Sequence, residues 1–325
     1  MGVFLDESCR KKLMVMLTGV GAAYLLYRTV CSGFTSPRDD EEDLLIDRSG
    51  NSTLDSIGAL GDQDSCPNSL KMNLQDLKTV LTILHESKDP IIRGTILTSI
   101  YRIPGFSSQQ ELLCSEGGMA TIAESLDDPL DYIKTSAVMV LNVLSNDPAN
   151  RDLLAKYIPQ VVTLATSTTL QEFEQLPCLR FLTKLSHNQQ SHPPLQPVLP
   201  DFFHLLQVGS STIKFQVLQI LINLSSNLEM TFHMLDVSLP DSFLYLFNYF
   251  QRQDILNDLL LLISNLIEME RSLSYRAVRH QHRDGSLFLL LAGSNTHFFS
   301  RLIYLMAFPD DRIKLQAARI VTSLG

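Results

Sequence analysis

Val217-Leu218-Gln219-Ile220-Leu221-Ile222-Asn223-Leu224-Ser225 is the stretch that decides how this chain folds. Leu218, Ile220, Leu221, Ile222 and Leu224 crowd one short segment, which reads as a fully buried helix. Its closing tripeptide, Ile222-Asn223-Leu224, has counterparts at Tyr101-Arg102-Ile103, Asn142-Val143-Leu144, Thr183-Lys184-Leu185, Ser264-Asn265-Leu266 and Thr322-Ser323-Leu324. The last residues of the six follow one another at intervals of 41, 41, 39, 42 and 58. A period near 40 is that of helical solenoids, and the longer interval marks an insertion before the final repeat.

Turns at Asp89-Pro90, Asp128-Pro129, Ser210-Ser211 and Asp310-Asp311 precede the closing helices at a roughly constant distance. Pro and Gly elsewhere, as at Gly117-Gly118, Pro159, Pro200 and Pro240, stop or start short helices. Leu74, Leu77, Val80, Leu81 and Leu84 fall on one helical face. The expectation is an all-α solenoid of about six repeats over residues 70–325, each repeat burying its apolar face only against its neighbours.

Outward from the repeats, the composition changes. The chain has 325 residues, 45% hydrophobic and 19% charged, too long for one compact core and too apolar for disorder. Its net charge of −9 is uneven: residues 39–70 hold nine acidic groups and one basic, among them Asp39-Asp40-Glu41-Glu42-Asp43. Residues 31–69 therefore read as an acidic, flexible linker. After residue 70 the twenty basic and twenty-four acidic groups nearly balance, so no general nucleic-acid-binding surface is implied.

At the N-terminus a basic flank, residues 1–12, ends in Arg10-Lys11-Lys12 and leads into a candidate transmembrane anchor, residues 13–30. The uncharged run from Leu13 to Tyr27 makes a helix of about 22 Å, short of the roughly 30 Å hydrocarbon core. Lys12 and Arg28 must then snorkel to the two interfaces. Gly19, Gly21 and Ala23 are small residues of this anchor, and Gly19-x-x-x-Ala23 allows the close approach of a homodimer in the bilayer. The rival is a cleaved signal peptide ending at Val30-Cys31-Ser32, although Tyr24, Tyr27 and Arg28 occupy the place of the small residues that lead to a cut. Cys9 and Cys31 bracket the anchor as ordinary or acylated thiols. Five cysteines without C-x-x-C spacing suit a reducing compartment.

Gly117 to Ile122, Asp127-Asp128-Pro129, Ala137 to Ser145 and the closing helix Val217 to Ser225 together resemble armadillo repeats. With the anchor segment Thr18 to Tyr27, and with Ser242 to Phe247 and Arg312 to Leu324, the chain is similar to the single-pass armadillo-repeat proteins of mitochondria, including the X-linked armadillo group. The resemblance covers the anchor and most of residues 70–325 but not the acidic linker. It implies an outer-membrane anchor, a cytosol-facing solenoid, and roles in mitochondrial positioning, clustering or shape through protein partners.

Enzymatic constellations are missing from the sequence. Gly19-x-Gly21 lacks the third glycine and the preceding strand of a dinucleotide fingerprint, and there is no Walker loop, G-x-S-x-G or H-E-x-x-H. His280-x-His282 is flanked by Arg279 and Arg283, which would repel a metal. His187 and His192 lie in a Pro-rich turn and are expected to be solvated. No catalytic residue, metal or cofactor is assigned, and an enzyme subunit remains only as an alternative class.

Two surfaces are left as partner-binding candidates. Armadillo proteins read extended peptides through an asparagine ladder, whose register here is held by Asn223 and Asn265 alone, with Arg102, Val143, Lys184 and Ser323 elsewhere. Both asparagines equally suit a packing role between helices. The insertion supplies Arg271, Arg276, Arg279, His280, His282 and Arg283, which suit an acidic partner or lipid headgroup as well as a solvated loop. The functional expectation is a non-enzymatic adaptor at the mitochondrial outer membrane. An endoplasmic reticulum protein with a lumenal solenoid is the alternative, because Arg10, Lys11 and Lys12 would hold the N-terminus in the cytosol.

Overall fold

The computed structural model describes residues 74–101, 113–114, 117–167, 170–278, 281–291 and 295–324, so the expected anchor and linker lie outside the described residues. Leu74–Gly325 form one compact unit. Its helices are α1 (Leu74–Glu86), α2 (Pro90–Tyr101), α3 (Gly118–Ala123), α4 (Asp131–Leu144), α5 (Pro148–Leu154), α6 (Ile158–Ala165), α7 (Glu172–Leu185) and α8 (Leu199–Val208). There follow α9 (Ser211–Leu224), α10 (Leu228–Leu235), α11 (Gln253–Arg271), α12 (Leu273–Ala277), α13 (Leu287–Leu291), α14 (Thr296–Leu305) and α15 (Asp311–Leu324). Short 3-10 turns join several of them, and among the described residues the β structure is a single bridge between Ser238 and Ser286.

The repeat seen in the sequence is the repeat of the structure. Closing helices α2, α4, α7, α9, α11 and α15 pack each on the next, in chain order, with α3, α6, α8 and α14 against their own closing helices. Counting back from the last leucine of a closing helix, positions zero, three, four and seven are buried. These are Leu144, Leu141, Val140 and Ala137 in α4, Leu185, Leu182, Phe181 and Cys178 in α7, and Leu224, Leu221, Ile220 and Val217 in α9, with Leu266, Ile263, Leu262 and Leu259 in α11. Each larger side chain contributes about 1.5–3 kcal/mol on leaving water.

Local hydrogen bonding fixes where each closing helix starts and stops. The expected turns cap the helices as side-chain acceptors: Asp89 Oδ1 takes the Ile91 N–H at 2.9 Å, Asp128 Oδ1 that of Leu130 at 2.9 Å and Asp310 Oδ1 that of Arg312 at 2.9 Å. Asp128 is also ion-paired to Arg93 of α2, which ties the second repeat to the first. At the other end the chain repeats a serine device. Ser145, Ser186 and Ser225 each donate a hydroxyl to the carbonyl three residues back, at 2.7, 2.8 and 2.7 Å. Six residues further on, Arg151, His192 and Thr231 donate to the carbonyls of those same serines at 3.0, 2.8 and 3.2 Å. Carbonyls at a helix end have no partner in their own helix, so these bonds satisfy what the turn would otherwise leave unpaired.

Two expectations need correction. Helix α9 is not buried all round: Ile222, Gln219 and Asn223 are half-buried on its open side, because a stacked helix has neighbours on only part of its circumference. His192 is 1% exposed, not solvated. Its Nε2 donates to Ser186 O, its Nδ1 lies 3.2 Å from Asn227 Nδ2, and burial lowers its pKa against the opposing effect of the Ser186 bond.

The insertion begins where α11 runs on for 19 residues. It then folds back onto α10. Leu287 N–H donates to Val237 O at 2.8 Å and Leu239 N–H to Gly285 O at 3.0 Å, with Gly285 at φ 73°, a left-handed conformation that favours glycine. Phe232 stacks on Tyr275 with centroids 4.2 Å apart, and His282 stacks on Phe288 at 4.0 Å. Among the described residues no helix is long and apolar enough to cross a membrane.

Candidate interaction surface

The stacking of closing helices buries one side of each and leaves the other in a common surface. At 100° per residue, positions one, five and twelve before the last leucine fall within an arc of about 40°. In α7 these are Lys184, Arg180 and Phe173, and in α4 Val143, Met139 and Tyr132. In α9 they are Asn223, Gln219 and Thr212, and in α11 Asn265, Leu261 and Asp254. None of these twelve side chains is buried. The surface thus runs from apolar and aromatic in the second repeat, through cationic in the third, to neutral amides in the fourth and a carboxylate in the fifth.

Asn223 and Asn265 do occupy the ladder register, and each reaches back to the repeat before it. Asn223 Nδ2 donates to Ser186 Oγ at 2.9 Å and to Thr183 O at 3.3 Å, and Asn265 Nδ2 donates to Ser225 Oγ at 2.9 Å. Each serine hydroxyl spends its proton on its own helix, so it accepts from the amide and thereby fixes which end of the amide points to it. Neither Oδ1 accepts a hydrogen bond among the described residues, and neither is a buried, unpaired atom. Lys184, in the same register, also reaches back, with Nζ 2.9 Å from both Asn142 O and Asn142 Oδ1 and 2.6 Å from Asn146 Oδ1.

Electrostatics separate the third repeat from the fifth. Burial, then the charges of Arg151 and Arg180, bring the Lys184 pKa down to about 8. In the fifth repeat Asp258 accepts from Gln219 Nε2 at 2.8 Å, and burial pushes its carboxyl pKa up. Arg319 of α15 is ion-paired with Glu268 of α11.

The other expected site residues fall as follows. Lys12, Leu13, Gly19, Gly21, Ala23, Tyr27 and Arg28 of the anchor, and Arg279 and His280 of the insertion, lie outside the described residues. Arg271 and Arg276 are exposed. Arg283 is exposed too, but its Nε is 3.1 Å from Asp236 Oδ2, and its N–H donates to the same carboxylate at 3.0 Å. His282 belongs to the ring stack, with its Nε2 2.9 Å from Tyr275 Oη. Sequence reading missed the row Ile91, Tyr132 and Phe173, which are 75%, 43% and 65% exposed in the first turns of α2, α4 and α7. Their regular spacing at the repeat interval was the available signal. Among the described residues no group of three or more His, Cys, Asp or Glu is placed to hold a metal ion.

Stacked helical repeats with one continuous open face define a solenoid scaffold. The armadillo-like family model matches residues 72–292, and the chain belongs to that family. Solved structures with the same fold include a designed armadillo repeat protein, at 14% identity and a TM-score of 0.59 over 77% of this chain and 100% of that one. A designed armadillo repeat protein in complex with a (KR)4 peptide matches at 14% identity and a TM-score of 0.58, over 77% of this chain and 100% of that one. Computationally designed armadillo repeat proteins for modular peptide recognition match at 14% and 0.54, again over 77% and 100%. The fold is one typical of non-enzymatic protein-binding scaffolds.

Proposed function

We propose that this protein is a non-enzymatic adaptor of the mitochondrial outer membrane: the N-terminal segment anchors it, the acidic linker gives reach, and the cytosolic solenoid binds an extended segment of a protein partner. The observation that carries the binding role is the amide pair Asn223 and Asn265. Their nitrogens are held by the preceding repeat and their oxygens accept no hydrogen bond among the described residues, which leaves each as an acceptor for a partner's main-chain N–H. Peptide binding by designed proteins of the same fold supports this use of the face. A linker of about 38 residues spans roughly 31–37 Å, enough to reach proteins on the same membrane or a closely apposed one. Membership of the mitochondrial single-pass group, with a part in mitochondrial positioning, clustering or dynamics, rests on the resemblance of the anchor and of both ends of the solenoid.

Proximity labelling from the intact chain tests the reading against a chain lacking residues 1–35. Outer-membrane neighbours lost on deletion support it, and a uniform cytosolic signal from the intact chain overturns it. Topology is tested at Asn51-Ser52-Thr53, a sequon in the linker. No glycan is expected there. A mobility shift abolished by Asn51→Gln would place the solenoid in the endoplasmic reticulum lumen instead.

A further inference from the structure

On α7, Phe173, Arg180 and Lys184 share one open face, and Tyr132, whose ring lies over Gly94 of α2, holds the register of Phe173 on the neighbouring α4. Two features of this patch bear on what it could bind. The first is charge without internal compensation. Arg93, Arg252, Arg283, Arg312 and Arg319 each have a carboxylate within ion-pair distance. For Arg151, Arg180 and Lys184 no such pair is formed among the described residues, and the polar contacts of Arg151 and Lys184 are neutral oxygens around the end of α4. Cations near a helix C-terminus are favourable, which accounts for Arg151 and Lys184. It does not account for Arg180, which is exposed one turn earlier. The second feature is the large apolar side chains left in water, with Phe173 65% and Tyr132 43% exposed.

We propose that the second and third repeats take a partner segment that combines carboxylates with a large apolar side chain, the carboxylates lying over Arg180 and Lys184 and the apolar group between Tyr132 and Phe173. This rests on the reading of the closing-helix face as the binding face. Seven residues of helix separate Phe173 from Arg180, about 10 Å, which an extended chain covers in about three residues. The fitting segment therefore carries an acidic residue about three positions from an apolar one. Carboxylates on such a segment would form charge-assisted hydrogen bonds with the guanidinium and ammonium groups. They would also offset the charges of Arg151 and Arg180, which add to burial in lowering the Lys184 pKa. A nucleic acid fits less well. Its phosphates would have to continue past Gln219 and Asn223 towards Asp254 and Glu268, where the surface turns neutral and then acidic.

The test is fluorescence anisotropy with the full-length chain and three labelled peptides: one alternating Glu with Leu, one with Lys for Glu, and one with Ser for Leu. A single-stranded oligonucleotide serves as the polyanion control. The Glu/Leu peptide should bind, and the other three probes should bind at least about tenfold more weakly. Arg180→Glu and Phe173→Ser should each weaken the Glu/Leu peptide by about tenfold or more while leaving thermal unfolding unchanged, since both side chains are exposed. The proposal is overturned if the Glu/Leu peptide does not bind, if the Lys/Leu peptide or the oligonucleotide binds as well, or if Arg180→Glu leaves affinity unchanged. The wider reading survives that failure if any peptide binds and is lost on Asn265→Ala or Leu261→Glu, two repeats away. It falls with the proposal if binding persists in those variants as well.

Discussion

The bond from Asn223 to Ser186 can be isolated with a double-mutant cycle, and its size follows from the geometry. Asn223 Nδ2 lies 2.9 Å from Ser186 Oγ, a neutral, partly buried pair, so the bond should contribute about 0.5–1.5 kcal/mol. Asn223→Ala alone is a poor measure, because alanine regains about 0.5 kcal/mol of helix propensity and the net loss shrinks to roughly 0–1 kcal/mol. Ser186→Ala alone is also mixed, since it removes the hydroxyl's own bond to Thr183 O at 2.8 Å. Urea unfolding of both single variants and the double variant cancels those terms and leaves a coupling energy near 1 kcal/mol, at unchanged m-value. The pair Asn265 and Ser225, with the same 2.9 Å separation one repeat on, should give a similar value. Coupling below about 0.3 kcal/mol in both cycles is within the scatter of independent sites and would refute the inter-repeat bond. Asparagines that served only a partner would show no coupling in the free protein.

Leu221→Ala should cost about 2–5 kcal/mol in urea unfolding through the cavity it leaves, whereas the exposed Arg276→Glu should stay within about 0.5 kcal/mol; equal losses would show that the arginine is structural. His192 binds a proton less readily folded than unfolded, so its contribution to stability is complete above its unfolded pKa of about 6.5 and is lost as pH falls below it. The melting temperature should drop as pH falls below about 6.5, and that slope should flatten in His192→Gln; an unchanged slope would remove His192 as its cause. Cys178, whose thiol burial pushes up to about 12, should resist alkylation until the solenoid unfolds, while the half-buried Cys114 should react first under native conditions. Mass-spectrometric mapping with Cys178 labelled as fast as Cys114 would contradict the buried placement.

The sequence by itself determined the repeat. Apolar residues recurring at an interval near 40, with Asp-Pro, Ser-Ser or Asp-Asp turns before four of the six closing helices, state the helices, their ends and their buried sides, because helical periodicity and capping are local properties of the chain. It also placed Asn223 and Asn265 in one register. What only the tertiary structure decided is where each side chain finds its partner, since that depends on residues about 40 positions away brought together by stacking. His192 looked like part of a wet, Pro-rich turn and is instead a buried donor to Ser186 O. His282 read as one more basic residue in a loop and lies in a ring stack with Tyr275 and Phe288. Phe173, Arg180 and Lys184 looked unrelated along the chain. Turns of about 100° per residue put them on one face, and the neighbouring helices, by covering the other sides of α7, made that face the one left to a partner.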